Sequence, residues 1–311
     1  MMVCGISAQE KTQPKFGVRV ELVSLDAEVL DKQGNPVTDL KLEDFAVREN
    51  GKAMEITHFA RLKDRPVTLA IVLDNLLPRE QLRVAREYVM QLIHILARGD
   101  EIGLYTFDED DATLEQDFTT DRFPLIEALR NIDVAPRGLK GFWKKLYGAT
   151  PRTGLAIDAA LQNLKQGHNE KRSVLVISNR FKGLGPATVE HVQESGYTLL
   201  TLAFENKTNG MPVLGGPQLE ADRFYILGVD LDQILSKKAV TEQSGGRKFS
   251  VNVEDIGGVC KTIVYALKNH YSLAYSTQVA GTGRQKPRKV EVLVPGRSYR
   301  VHARRSYTPS R

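Results

Sequence analysis

Apolar residues alternate with polar ones at the start of the chain, at Phe16, Val18, Val20 and Leu22. Period two predicts a strand with one buried side. After the turn LDKQGNPV, Phe45 and Val47 lead to an Asn50-Gly51 hairpin signal, with Ile56 and Phe59 beyond it. From Val67 the texture changes to strand–helix alternation. A fully apolar strand at 67–73 precedes a helix near 79–97, whose Leu82, Ala85, Val89, Leu92, Ile93 and Leu96 form one stripe. A strand at 102–107 comes next, with a short antiparallel partner at 112–118 and a helix near 121–130. Another helix starts near Thr153, and SVLVIS at Ser173–Ser178 is a strand. Pro186 opens a further helix, and a strand occupies 198–204. The last helices are expected near 230–243 and 254–269. Asp230 with Gln233 resembles a capping box for the first of them, and Ser244-Gly245-Gly246 stops it. After His270 the pattern is β again, with Val290, Val292 and Val294 on one face.

Alternating strands and helices imply an α/β fold: a Rossmann-like, mostly parallel central sheet with helices on both faces. The expected division is a terminus at 1–15, a β segment at 16–64, an α/β domain at 65–270 and a β segment at 271–311. Each β segment is too small to be stable alone, so the two are expected to pack together as one small antiparallel β module.

Composition narrows the class. The 311 residues are 41% apolar, enough for a full α/β core and a modest companion. No apolar run approaches the roughly 20 residues of a membrane helix. Cys4 and Cys260 are the only cysteines, too few for a disulfide framework or a zinc site. Cys260 sits at helical spacing with Ile256, Val259, Ile263 and Leu267, as a small core residue does. Met1–Gln9 is short and apolar and ends in Ser7-Ala8-Gln9, like the tail of a secretory signal; an ordinary disordered terminus is the alternative. The signal reading implies export to the periplasm or beyond.

The segments VLDKQGNPVTDLKLEDFAVRENGKAMEITHF, VTLAIVLD, SGGRKF, HYSLAYS and KVEVLVPGRSYRVHARRSY, in that order and spacing, resemble the von Willebrand factor A-related domain family abundant in acidobacteria. The resemblance implies a von Willebrand A domain. Such domains generally bind proteins, often through a divalent cation at the carboxyl ends of the parallel strands. The family motif supplies that cation with an aspartate, two serines, a threonine and a second aspartate. Asp74 matches the first aspartate, Thr153 (or Thr150) the threonine, and Asn179 stands where the second aspartate belongs. Leu76 and Pro78 occupy the serine positions and carry no side-chain oxygen. One carboxylate, one hydroxyl and one amide make a poor cage for magnesium, so Asp74, Thr153 and Asn179 are expected to be vestigial and no metal or other cofactor is expected. Cation-dependent adhesion, with magnesium or calcium, is the alternative.

Without a metal, binding falls to side chains on the same rim. Phe142, Trp143, Lys144, Lys145 and Tyr147 form a basic, aromatic loop of the composition used at protein-binding hot spots, although such a loop equally serves to pin a short helix. The Gly- and Pro-rich stretch Glu205–Asp222 is a second candidate. The run Asp108–Asp111 lacks the spaced ligands of a calcium loop and reads as a hairpin turn. Residues 281–311 hold nine Lys or Arg against Glu291 alone, read as solvated charges that protect edge strands, with an anionic partner as the alternative. No G-x-S-x-G elbow, P-loop or dinucleotide fingerprint is present, and the six histidines lack metal-ligand spacing. The sequence therefore points to a non-enzymatic, exported, adhesion-like protein-interaction module with an unidentified protein partner, possibly in the cell envelope. A structural scaffold of an envelope assembly is the rival, and nucleic acid is not an expected partner.

Overall fold

The computed structural model describes residues 18–108, 111–132, 153–178, 186–204, 225–226, 229–230, 237–280 and 285–309. In chain order the strands are β1 (Val18–Leu30), β2 (Ala46–Glu49), β3 (Lys52–Met54), β4 (Ile56–Leu62) and β5 (Val67–Asp74). Helix α1 (Arg79–Ile95) leads to β6 (Glu101–Phe107), β7 (Ala112–Thr119), α2 (Arg122–Asn131), α3 (Thr153–Asn163), β8 (Lys171–Ile177), α4 (Pro186–Ser195) and β9 (Thr198–Ala203). Then come the two-residue strands β10 (Tyr225–Ile226) and β11 (Val229–Asp230), α5 (Lys237–Gln243), β12 (Lys248–Ser250) and α6 (Ile256–Lys268). The chain closes with β13 (His270–Ala280), β14 (Arg288–Leu293), β15 (Arg300–Ala303) and β16 (Ser306–Tyr307).

The central sheet runs β12-β9-β8-β5-β6-β7, parallel except for β7, which returns antiparallel beside β6. Counted within the α/β part this is the doubly wound order 3-2-1-4-5-6. All eight residues of β5 are buried because the sheet is covered on both sides. Val67, Leu69, Ile71 and Leu73 pack with α1, α2 and α6, while Ala70 and Val72 pack with α3, α4 and α5. Cys260 is buried in the first layer, and burial pushes its thiol up to about 12.

Two four-stranded antiparallel sheets, β15-β1-β13-β4 and β16-β14-β2-β3, share a third core built from Leu25, Val47, Tyr271, Leu273, Val290 and neighbours. Asn50 and Gly51 both have positive φ, 49° and 83°, as a two-residue hairpin between β2 and β3 requires. Glu49 pins this core. Its carboxylate accepts from the hydroxyls of Tyr275 (2.9 Å), Tyr307 (2.8 Å) and Thr277 (2.9 Å) and from Arg288 (2.6 Å).

Of the helix placed near 230–243, α5 covers Lys237–Gln243 and Asp230 lies in β11, where its backbone pairs with Tyr225; residues 231–236 lie outside the described residues. The short strand β12, from the segment KFS, adds a sixth strand that its length conceals. Arg288 and Arg304 also differ from solvated edge charges: Glu49 holds the first, and the second is largely buried against α4.

The β module sits against the amino ends of the central strands. Lys171, first residue of β8, reaches Asp26 on β1 at 2.7 Å, and Arg247, just before β12, reaches Glu28 at 2.8 Å. Beneath the sheet, buried Asp100 binds Lys268 (2.8 Å) and accepts from the amides of Val67 (3.0 Å) and Ala97 (2.7 Å). His270 and His302 lie in the same seam. Burial pushes each imidazole down to about 4, reinforced by Lys171 and Arg65 at His270 and by Arg247, Arg305 and Arg300 at His302; Asp26 opposes the shift at His270. Because the folded value lies below the ordinary 6.5, the unfolded chain binds more protons between the two. The stability from neutral histidine is therefore complete above pH 6.5 and lost as pH falls toward 4. For His270 alone this is about 3 kcal/mol. Urea midpoints measured from pH 7 to 4 should fall steeply through this window, and His270→Gln should flatten the slope; an unchanged slope would contradict the assignment.

Candidate functional site

Doubly wound sheets bind ligands where neighbouring strands send their following helices to opposite faces. Here that point lies between β5, followed by α1 on one face, and β8, followed by α4 on the other. Asp74 closes β5 at this point and is fully buried. Its Oδ1 accepts the Leu76 N–H at 2.9 Å and its Oδ2 accepts the Ser178 hydroxyl at 2.6 Å. The loop is fixed further by the Asn75 N–H on the Phe107 carbonyl (3.0 Å). Leu76 is buried, Leu77 enters the first core layer, and Pro78 stands at the N-cap of α1 without a side-chain cap bond. Apolar packing thus occupies the stretch where hydroxyls would be needed for a cation. Thr153 is fully buried at the first position of α3.

Of the residues singled out in the sequence, Asp74 and Thr153 come to this edge. Asn179, Thr150 and the candidates Phe142, Trp143, Lys144, Lys145 and Tyr147 lie outside the described residues, as does all of Glu205–Asp222. Ser178 is the residue the sequence reading missed. It ends SVLVIS one position before Asn179, and its hydroxyl meets Asp74 from 104 residues away.

The oxygens that Asp74, Thr153 and Ser178 bring to this edge amount to one carboxylate and two hydroxyls. Among the described residues, with Leu76 and Pro78 at the serine positions, that set supplies fewer side-chain oxygens than near-octahedral magnesium takes. Among the described residues no group of three or more His, Cys, Asp or Glu is placed to hold a metal ion. Asp108 and Asp111 instead close the turn between β6 and β7, the Asp111 amide donating to Asp108 Oδ1 at 2.9 Å. A second polar cluster lies below the rim: Asp158 of α3 accepts from the Thr188 hydroxyl (2.8 Å) and pairs with His191 Nδ1 (3.1 Å), both on α4. It ties two helices together, and nothing in the local sequence announces it. Among the described residues no helix is long and apolar enough to cross a membrane.

No protein-family model matches the chain, and no curated protein does. Similar solved structures include an aerotolerance-related membrane protein from Bacteroides fragilis NCTC 9343, 18% identical, covering 65% of this chain and 98% of that one at TM-score 0.47. A von Willebrand factor type A protein from Catenulispora acidiphila is 10% identical and covers 97% of this chain and 74% of that one at TM-score 0.46. The vWF domain of the type V pili tip protein Mfa5 from Porphyromonas gingivalis is 10% identical, covering 65% and 94% at TM-score 0.40.

Proposed function

We propose that this chain is a non-enzymatic, exported protein-interaction module, adhesion-like, whose metal site is degenerate. The observation that carries the reading is the state of Asp74: a buried carboxylate whose oxygens are held by the Leu76 amide and the Ser178 hydroxyl, with apolar Leu76 packed beside it. The division into an α/β domain at 65–270 and a β module made from 16–64 and 271–311 belongs to the same proposal. So does the assignment of partner contact to Phe142, Trp143, Lys144, Lys145 and Tyr147, on the connection that leads into Thr153. Because the β module is seated at the amino ends of the strands, the opposite rim is left for a protein partner.

Thermal unfolding in chelator and then in excess magnesium, manganese or calcium tests the metal half of the proposal. A ligand bound only by the folded state raises the midpoint, so the expected change is less than about 1 °C. A saturable rise of several degrees, abolished by Asp74→Ala, would establish cation-dependent adhesion instead, with Ser178 as the replacement hydroxyl. The interaction half is tested by Trp143→Ala combined with Lys144→Ala. Capture of an envelope partner should be lost at an unchanged melting temperature, whereas retained capture would favour the scaffold reading.

A further inference from the structure

We propose that the cleft between the β module and the amino-end edge of the central sheet binds a small oxyanion (a phosphate, sulfate or carboxylate group), anchored by the guanidinium of Arg304. The cleft is a cavity of about 190 Å³ whose lining includes Asp26, Lys171, Gly196, Thr198, Arg247 and Arg304. Three cations meet two carboxylates there. Lys171 is taken by Asp26 at 2.7 Å and Arg247 by Glu28 at 2.8 Å. Arg304 has no carboxylate partner among the described residues. Its Nε donates to the Ser306 carbonyl at 2.7 Å, its Nη2 donates to the Gln193 carbonyl, and its guanidinium lies 5.9 Å from the centre of the Tyr307 ring.

The third nitrogen, Nη1, faces Gly196. A Cβ at that position would lie 3.3 Å from Nη1, and φ of +73° keeps the position to glycine, so position 196 puts no side chain over the nitrogen. The Thr198 hydroxyl accepts from Lys171 at 3.3 Å and keeps its own proton to donate. A guanidinium withdrawn from water without a counter-charge is the group that gains most from an anion, because the low local dielectric strengthens the attraction. His302, on the cleft wall, is held neutral by burial first and then by the positive charges of Arg247, Arg305 and Arg300. The site lies at the opposite end of the sheet from Asp74 and stands or falls independently of the interaction rim.

Titration of the full chain with inorganic phosphate, sulfate or acetate, against chloride at equal ionic strength, tests the proposal. The expected result is a saturable rise in melting temperature of several degrees with at least one oxyanion and none with chloride. Phosphate and sulfate acting without acetate would define a tetrahedral site, and acetate acting alone a carboxylate site. Arg304→Gln should abolish the rise. Because that change also removes contacts to Gln193 and Ser306, the His302 ring resonance of the unaltered chain supplies the second readout, its pKa rising by about one unit when an anion neutralises the cleft. Equal effects of chloride and oxyanions, or a His302 pKa that no oxyanion moves, would overturn the proposal.

Discussion

Replacing Glu49 by alanine is expected to lower the stability of the chain by about 3–5 kcal/mol, the usual cost of removing one partner of a buried charged pair. The carboxylate takes four hydrogen bonds from three other strands, so its loss leaves Tyr275, Tyr307, Thr277 and Arg288 together without their acceptor. Glu49→Gln keeps the shape and one acceptor oxygen and should cost roughly half as much. Acid should reproduce part of the effect. Burial pushes the Glu49 carboxyl up, but the bonds from Tyr307, Tyr275, Thr277 and Arg288 outweigh it and hold the group below its ordinary 4.5. A depressed carboxylate contributes stability that is present above pH 4.5 and lost as pH falls through the folded value. Urea unfolding of the three proteins at pH 7 measures the mutational costs, and a loss under about 1 kcal/mol for Glu49→Ala would refute the pinning role.

Asp100→Ala is expected to cost a similar 3–5 kcal/mol, for a different reason. Asp100 has no exposed surface and the Lys268 side chain is 8% exposed, so alanine strands an ammonium ion away from water. It also releases the amides of Val67 and Ala97, which fix the start of β5 and the turn after α1. The double variant Asp100→Ala with Lys268→Met should recover more than half of the loss, because the charge that lacked a partner is gone. Additive losses in the double variant would mean that the two residues are not energetically coupled.

Both anchors were invisible in the sequence, whereas the frame around them was not. The apolar run of β5, the stripe of α1 and the Asn50-Gly51 turn are local patterns, and each corresponds to an element of the structure. Asp26 and Glu28 sit at alternate positions of β1, where polar residues normally mark the solvent side. That side is covered by the α/β part instead, and no pattern within a strand can signal what will cover it. Glu49 likewise meets Tyr275 across 226 residues and Tyr307 across 258. The candidate site was half legible for the same reason. Asp74 is announced by the strand it terminates, but its partner Ser178 comes to it from 104 residues away, which no local pattern signals.

The chain crosses from the β module into the α/β part once, after Leu62, and returns once, at His270, and these two residues face each other in one sheet. Completing the α/β part therefore brings both crossing points side by side before β1 and β13 have met. Pairing those strands directly from an extended chain would require closing a loop like the 231-residue span between Leu40 and Tyr271. With the intervening segment already compact, that span contracts to a gap of one strand spacing. A formed α/β part thus makes the pairing of β1 with β13 a short-range event despite their separation in sequence.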